Sequence, residues 1–211
     1  MQDLLSLLND YCAIHSTVSD PLLDKIERQT HLSTTAPRML SGELQGSLLS
    51  MISKIKSPKY VLEIGTFTGY SAICLAEGLK DDGKLITIEY DEEHSHLAKS
   101  FFDESQYKNK IELKTGDAKV IIPQLSYMFD LVFIDADKEA YSQYFDLIID
   151  KCHKGALILA DNVLWSGKIL DIKKDKKTQQ LDDFNKKIAI DPRVENVILP
   201  IRDGINLIRV I

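Results

Sequence analysis

Apolar and polar positions along the chain follow two different rhythms. From about residue 2 to residue 56 the apolar side chains recur at helical spacing (Leu4, Leu5, Leu7, Leu8 and Tyr11, then Leu44, Leu48, Leu49, Ile52 and Ile55). This predicts helices, interrupted near residues 33–41 by Thr34-Thr35-Ala36-Pro37-Arg38-Met39, a loop by composition. From Tyr60 the pattern changes to short apolar runs alternating with amphipathic stretches, and strands are expected at 60–64, 85–89, 111–115, 131–134 and 156–160. Such alternation implies right-handed βαβ units, hence a parallel sheet with helices on both faces. The end differs: residues 194–199 and 205–210 read as two strands joined by Pro200-Ile201-Arg202-Asp203-Gly204, an antiparallel hairpin at one edge. No repeat, linker or low-complexity segment divides the chain, so residues 1–211 are read as one domain, with 1–56 as a helical N-terminal extension.

Composition narrows the class. The 211 residues suffice to bury one α/β core, and 44% hydrophobic with 27% charged residues is the balance of a globular protein in water. A formal net charge of -6 argues against sequence-independent binding to nucleic acid or an anionic membrane. Cys12, Cys74 and Cys152 are odd in number and lack metal spacing, so they read as thiols in a reducing compartment. The start lacks the basic and apolar regions of a leader, and no apolar stretch approaches the roughly 20 residues that span a bilayer; a cytoplasmic protein is expected.

The candidate chemistry sits at strand ends. Phe133-Ile134-Asp135-Ala136-Asp137-Lys138 and Leu159-Ala160-Asp161-Asn162 each follow an apolar run of the kind buried on both faces of a sheet. Ligands of open parallel sheets bind outside the carboxyl ends of the strands, so Asp135, Asp161 and Asn162 are expected to converge there. Three hard oxygen donors suit a divalent cation such as Mg²⁺, Ca²⁺ or Mn²⁺. The plainer alternative is that these residues only cap helices, where Asp and Asn are favoured.

A second motif, Val61-Leu62-Glu63-Ile64-Gly65-Thr66-Phe67-Thr68-Gly69-Tyr70-Ser71, lies where the first strand turns into a helix and can offer backbone N–H groups to a nucleotide-like ligand. A dinucleotide fingerprint would place its second glycine at Phe67, so the loop fits an adenosine ligand without a pyrophosphate, which S-adenosylmethionine is. Glu89, at the next strand end, is placed to accept from ribose hydroxyls, and Gly116-Asp117-Ala118 to border the adenine. Singly, Gly65 and Gly69 need only serve a turn and Glu89 a cap; in order on successive strand ends they favour an adenosine pocket.

With these residues in view the chain resembles the cation-dependent O-methyltransferases related to caffeoyl-CoA and catechol O-methyltransferases. The matching stretches are 62–71, 134–141, 161–167, 191–193 and 199–204; Asp135-Ala136-Asp137-Lys138 followed by Asp161-Asn162-Val163-Leu164-Trp165 is the most discriminating. The resemblance implies a Rossmann-like methyltransferase fold of seven mostly parallel strands with the last antiparallel, and a homodimer. It implies Asp135, Asp161 and Asn162 as metal ligands and Lys138 as general base. Glu63, Gly65, Ser71, Glu89 and Asp135 match cofactor contacts, with Asp117 and Ala118 near the adenine and Met39 and Ser41 in a loop that closes over the cofactor. No role is assigned to Asp137.

The chemistry needs these groups. Methyl transfer from a sulfonium is an in-line displacement, and a cation on two vicinal oxygens favours the oxyanion while orienting the acceptor. Lys138 would accept the hydroxyl proton if burial and the nearby cation lower its pKa. The expected acceptor is a small catechol-like or other vicinal-diol aromatic. Residues 171–178 lack the aromatic and arginine residues that meet a CoA-linked acceptor in the plant enzymes, which speaks against that ester. A hydroxylated wobble uridine in tRNA is a secondary acceptor, its phosphates within reach of the lysines from Lys168 to Lys177. A nicotinamide oxidoreductase would share the architecture, but Phe67 disfavours it.

Overall fold

The computed structural model describes residues 4–17 and 20–211, the side chains from Leu7 onward. Three helices precede the sheet: α1 (Leu4–Ile14), α2 (Leu22–Ser33) and α3 (Gly42–Lys56), with a 3₁₀ turn at Pro37–Met39 in the expected break. A second break, between α1 and α2, was not legible in the spacing. Pro21 forces it: it cannot extend a preceding helix, it sits at the start of α2 with φ -56, and Asp20 Oδ1 accepts from the Leu22 N–H at 2.9 Å. The side chains of Leu4 and Leu5 lie outside the described residues.

The strands are β1 (Tyr60–Ile64), β2 (Lys84–Glu89), β3 (Ile111–Thr115), β4 (Phe129–Ile134), β5 (Cys152–Ala160), β6 (Val194–Leu199) and β7 (Ile205–Val210). Between them run α4 (Tyr70–Ala76), α5 (Glu92–Glu104), α6 (Ala118–Gln124), α7 (Tyr141–Ile148) and α8 (Lys176–Ile190). All expected strands form, β5 starting four residues before the apolar run because its solvent-facing end, His153 and Lys154, is polar and exposed. The sheet order is β3-β2-β1-β4-β5-β7-β6. β1 to β5 pair in parallel, and β7 runs antiparallel to both β5 and β6, with β6 at the edge.

Pleating divides the core in two. Leu62, Ile64, Val132, Ile134 and Ile158 face α6, α7 and α8, while Val61, Leu131, Phe133 and Leu159 face α2, α3, α4 and α5. The order reverses between β1 and β4, which opens the crevice where an α/β sheet takes its ligands. Register then does the positioning. Ile64 pairs with Ile134 and Ile134 with Ala160, so the next residues, Gly65, Asp135 and Asp161, emerge side by side. Among the described residues no helix is long and apolar enough to cross a membrane.

Candidate active site

A cavity of ≈ 1440 Å³ opens over these strand ends and is lined by Met39, Ser41, Gly65, Ser71, Glu89, Asp117, Ala118, Asp135, Lys138, Asp161 and Asn162. Every site residue expected from the sequence borders it except Glu63, which lies beneath the floor with no exposed surface. Gly65 is required by close approach. At φ +98 it has a conformation L side chains avoid, and a Cβ there would stand 1.9 Å from the Asp135 carbonyl oxygen.

Glu63 carries a buried polar chain. Its Oε2 accepts from Thr87 Oγ1 at 2.5 Å, and the Thr87 and Thr66 hydroxyls are also 2.5 Å apart. Burial pushes its carboxyl up to about 8, against the hydrogen bonds from Ser71 and Thr87. Burial thus favours the protonated acid, the form that can also donate. Glu89 lines the cavity: Oε2 accepts from the Phe67 N–H at 2.7 Å and Oε1 from the Asp91 N–H at 3.0 Å, leaving lone pairs for further donors. Phe67 itself, at φ 49, lines the cavity in place of a glycine and stacks edge-on against His94, ring centroids 4.8 Å apart.

The helix-cap alternative holds for some acids and not for others. Asp117 caps α6 by accepting from the Lys119 N–H at 2.8 Å, and Asp137 accepts from the Glu139 N–H at 3.3 Å. Asp135 does neither; its Oδ1 accepts from Lys138 Nζ at 2.5 Å. Asp161, 2% exposed, accepts from its neighbour's N–H (Asn162) at 2.7 Å through Oδ1 and from Gln45 Nε2 at 2.7 Å through Oδ2. Burial, and then the Asp135 charge, push the Asp161 carboxyl up to about 6.

Lys138 is 8% exposed on a 3₁₀ turn (Lys138–Ala140) and donates to Asp135 and, at 2.8 Å, to Tyr141 Oη. The expected fall in its pKa depends on a nearby cation as well as on burial, and the protein groups alone set the opposite direction. Burial does pull it down, but contact with Tyr141 and the Asp135 carboxylate outweighs burial and holds the ammonium well above the ordinary lysine value. Tyr141, fully buried on α7, is the residue the sequence reading missed: its hydroxyl also donates toward the Ile134 carbonyl at 3.2 Å and the Asp161 carbonyl at 3.0 Å, tying both acidic strand ends to Lys138. Its position three residues after Lys138 was the available signal.

The Asp135 charge raises the cost of ionising Asp161, and the one ammonium in the cluster is bonded to Asp135, so the site is short of positive charge. Among the described residues no three His, Cys, Asp or Glu side chains gather as a metal cluster, so a cation here would meet two carboxylates and the Asn162 amide. That all-oxygen set fits a hard divalent ion. The loop that follows is strained: Asn162, Trp165 and Ser166 have φ of 57, 48 and 52. It is held by bonds from the Val163 and Leu164 N–H groups to the Gly204 and Asp203 carbonyls at 3.0 and 2.9 Å, which sets Trp165 on the cavity wall. The lysines nearby are engaged locally, Lys174 with Asp182, Lys176 with Glu139 and Lys177 over the Trp165 ring.

Comparison with known proteins agrees with this geometry. A family model described as O-methyltransferase matches residues 13–211. Caffeoyl-CoA O-methyltransferase 2 of Petunia hybrida is 37% identical over 184 residues, 81% of this chain and 76% of the relative. Catechol O-methyltransferase of Niastella koreensis is 37% identical over 160 residues, 74% of this chain and 72% of the relative. The solved structure of the O-methyltransferase TomG from Streptomyces achromogenes, in complex with SAM, superposes with a TM-score of 0.89 at 30% identity, covering 97% of this chain and 96% of that one. The oxidoreductase alternative gives way, and the chain belongs to the O-methyltransferase family.

Proposed function

We propose that this chain transfers a methyl group from S-adenosylmethionine to one hydroxyl of a small catechol-like or other vicinal-diol aromatic, with a divalent cation, Mg²⁺ in the first instance, held by Asp135, Asp161 and Asn162. The observation that carries the reading is one cavity with two chemically distinct ends: Gly65, Glu89 and Asp117 on the strand ends of β1 to β3, and the Asp135, Lys138, Asp161 and Asn162 cluster on those of β4 and β5. Cofactor-bound relatives such as the TomG complex support the first end. The oxygen donor set supports the second.

In this reading Glu89 accepts from the ribose hydroxyls, and Ser71, Asp117 and Ala118 border the remainder of the cofactor. Met39, half-exposed at the end of the 3₁₀ turn, and buried Ser41 cover it from the N-terminal side. When bound, the cation supplies Lewis acidity to the acceptor oxygens and positive charge that favours the neutral amine of Lys138. Lys138 then takes the acceptor proton at Nζ, and Tyr141 keeps the amine in place through the cycle. Trp165 walls the acceptor and excludes water from the reacting oxygen.

The chain is also proposed to act as a homodimer. Leu7, Leu8, Tyr11 and Ile14 of α1 and Met51 and Ile55 of α3 are exposed, and α1 packs against α3, so these side chains lie on neighbouring helices.

Four measurements test this reading. Calorimetry should show S-adenosylmethionine binding that Glu89→Ala weakens by about 1–3 kcal/mol, the scale of hydrogen bonds to a charged group; unchanged affinity would remove Glu89 from the site. Turnover of a catechol should be abolished by chelator or by Asp161→Ala with cofactor binding retained, and Lys138→Ala should lower kcat by roughly 10²–10⁴-fold, less at high pH where the acceptor ionises unaided. Full activity in excess chelator would leave a metal-independent methyltransferase. The raised Asp161 value also has a sign: a carboxyl moved from 3.8 to about 6 stabilises the fold below its unfolded value, and that contribution is lost as pH rises through about 6. Mg²⁺ should therefore raise the thermal midpoint more at about pH 8 than at about pH 5, and equal shifts would exclude Asp161 as a ligand. Light scattering should give twice the chain mass, and a monomer mass at working concentration would overturn the dimer.

A further inference from the structure

Arg202 occupies a place in the turn between β6 and β7 that its own backbone disfavours. Its φ is 51, a left-handed conformation in which a side chain costs energy and glycine does not. Nothing in the turn itself calls for an arginine. Its guanidinium instead reaches across to the N-terminal extension, 157–162 residues away in sequence. There Nη2 donates to the Leu40 carbonyl at 3.1 Å, and Nη1 donates to the Ser41 carbonyl and to Gln45 Oε1 at 3.1 Å. Gln45 is fully buried, and its amide nitrogen donates onward to Asp161 Oδ2 at 2.7 Å.

The orientation of that amide follows from these partners. With Oε1 accepting from a permanent cation, Nε2 is the end left to face the carboxylate, so Asp161 meets a donor rather than another oxygen. Leu40 and Ser41 are each at most 6% exposed yet line the cavity; the Ser41 carbonyl already opens the hydrogen-bond ladder of α3, while the Leu40 carbonyl lies before the helix and takes its donor from Arg202. A forked guanidinium serves both carbonyls and the glutamine at once; an ammonium on a flexible stem has no such planar fork.

We propose that Arg202 is a positioning residue of the site: it fastens the Leu40–Ser41 segment over the cofactor end of the cavity and, through Gln45, orients the outer oxygen of Asp161. The proposal rests on the cofactor and cation assignments above and adds a residue that couples them. It also accounts for the left-handed arginine, since three charge-assisted hydrogen bonds offset the strain of the turn.

The test uses Arg202→Gly, which suits the turn's φ and deletes only the side chain, and Arg202→Lys, which keeps the charge without the fork. S-adenosylmethionine and Mg²⁺ affinities are measured by calorimetry on the full chain, with the thermal midpoint recorded in parallel. Arg202→Gly should weaken S-adenosylmethionine binding by about tenfold or more and Mg²⁺ binding by a smaller factor, with Arg202→Lys intermediate in both. The thermal midpoint should move little, because the turn is relieved as the bonds are lost. Wild-type cofactor affinity in Arg202→Gly, or in Arg202→Lys if the glycine variant does not fold, overturns the proposal. So does a loss of affinity that merely tracks a large fall in midpoint. A wild-type chain that binds no S-adenosylmethionine would instead overturn the cofactor assignment, and the proposal with it.

Discussion

Three backbone hydrogen bonds hold the site in being. The Gly65 N–H donates to the Ile88 carbonyl at 2.9 Å, the Asp135 N–H to the Ile64 carbonyl at 2.8 Å, and the Asp161 N–H to the Ile134 carbonyl at 3.0 Å. Each extends the parallel ladder by one step past the last strand residue, so the chain leaves β1, β4 and β5 at the same level. A slip of one residue in any pair would send the acidic side chains to the other face of the sheet. The apolar pleat on both faces resists that slip, because it would drive Ile64, Ile134 and Ala160 out of one core and the carboxylates into the other. The buried sheet is thus the reason that acids can be presented in a fixed geometry.

Fixing them has an electrostatic cost that shapes the rest of the site. Asp135 and Asp161 are near enough to raise the latter's pKa, and one ammonium, Lys138, stands between the acids and the buried phenol of Tyr141. Tyr141 is packed edge-on against Phe184 of α8, centroids 5.5 Å apart, so packing between helices behind the sheet helps set where the lysine nitrogen sits. The raised pKa of Lys138 without a cation and its proposed role as base describe two charge states of the same cluster. What separates them is the positive charge a bound cation would add.

The N-terminal extension completes the cavity instead of decorating it. The 3₁₀ turn and the start of α3 supply Met39, Leu40 and Ser41 to the lining, and α3 sends Gln45 under the floor to Asp161. The turn that closes the chain's last hairpin braces the opposite side, through Arg202 and through the bonds from Asp203 and Gly204 to the strained loop around Trp165. Residues from both ends of the chain therefore meet above strands contributed by its middle.

By itself the sequence determined the period changes from helix to strand, the five parallel strands and the final hairpin, because core burial imposes a repeat that survives in one dimension. It also singled out the residues at strand ends, since Asp135, Asp161, Glu89 and Gly65 follow apolar runs and the topology leaves such positions one destination. The tertiary structure decided what periodicity does not encode. Gln45 and Arg202 find partners 116 and 157 residues away, and nothing local marks a buried amide as part of a site, while Tyr141 carried only its spacing from Lys138. Glu63 was legible as a member of the motif, but only its burial beneath the floor pushes its pKa up. For Lys138 the sequence offered a base whose pKa depends on burial and a cation; the balance between desolvation and two close partners is a property of three-dimensional distances.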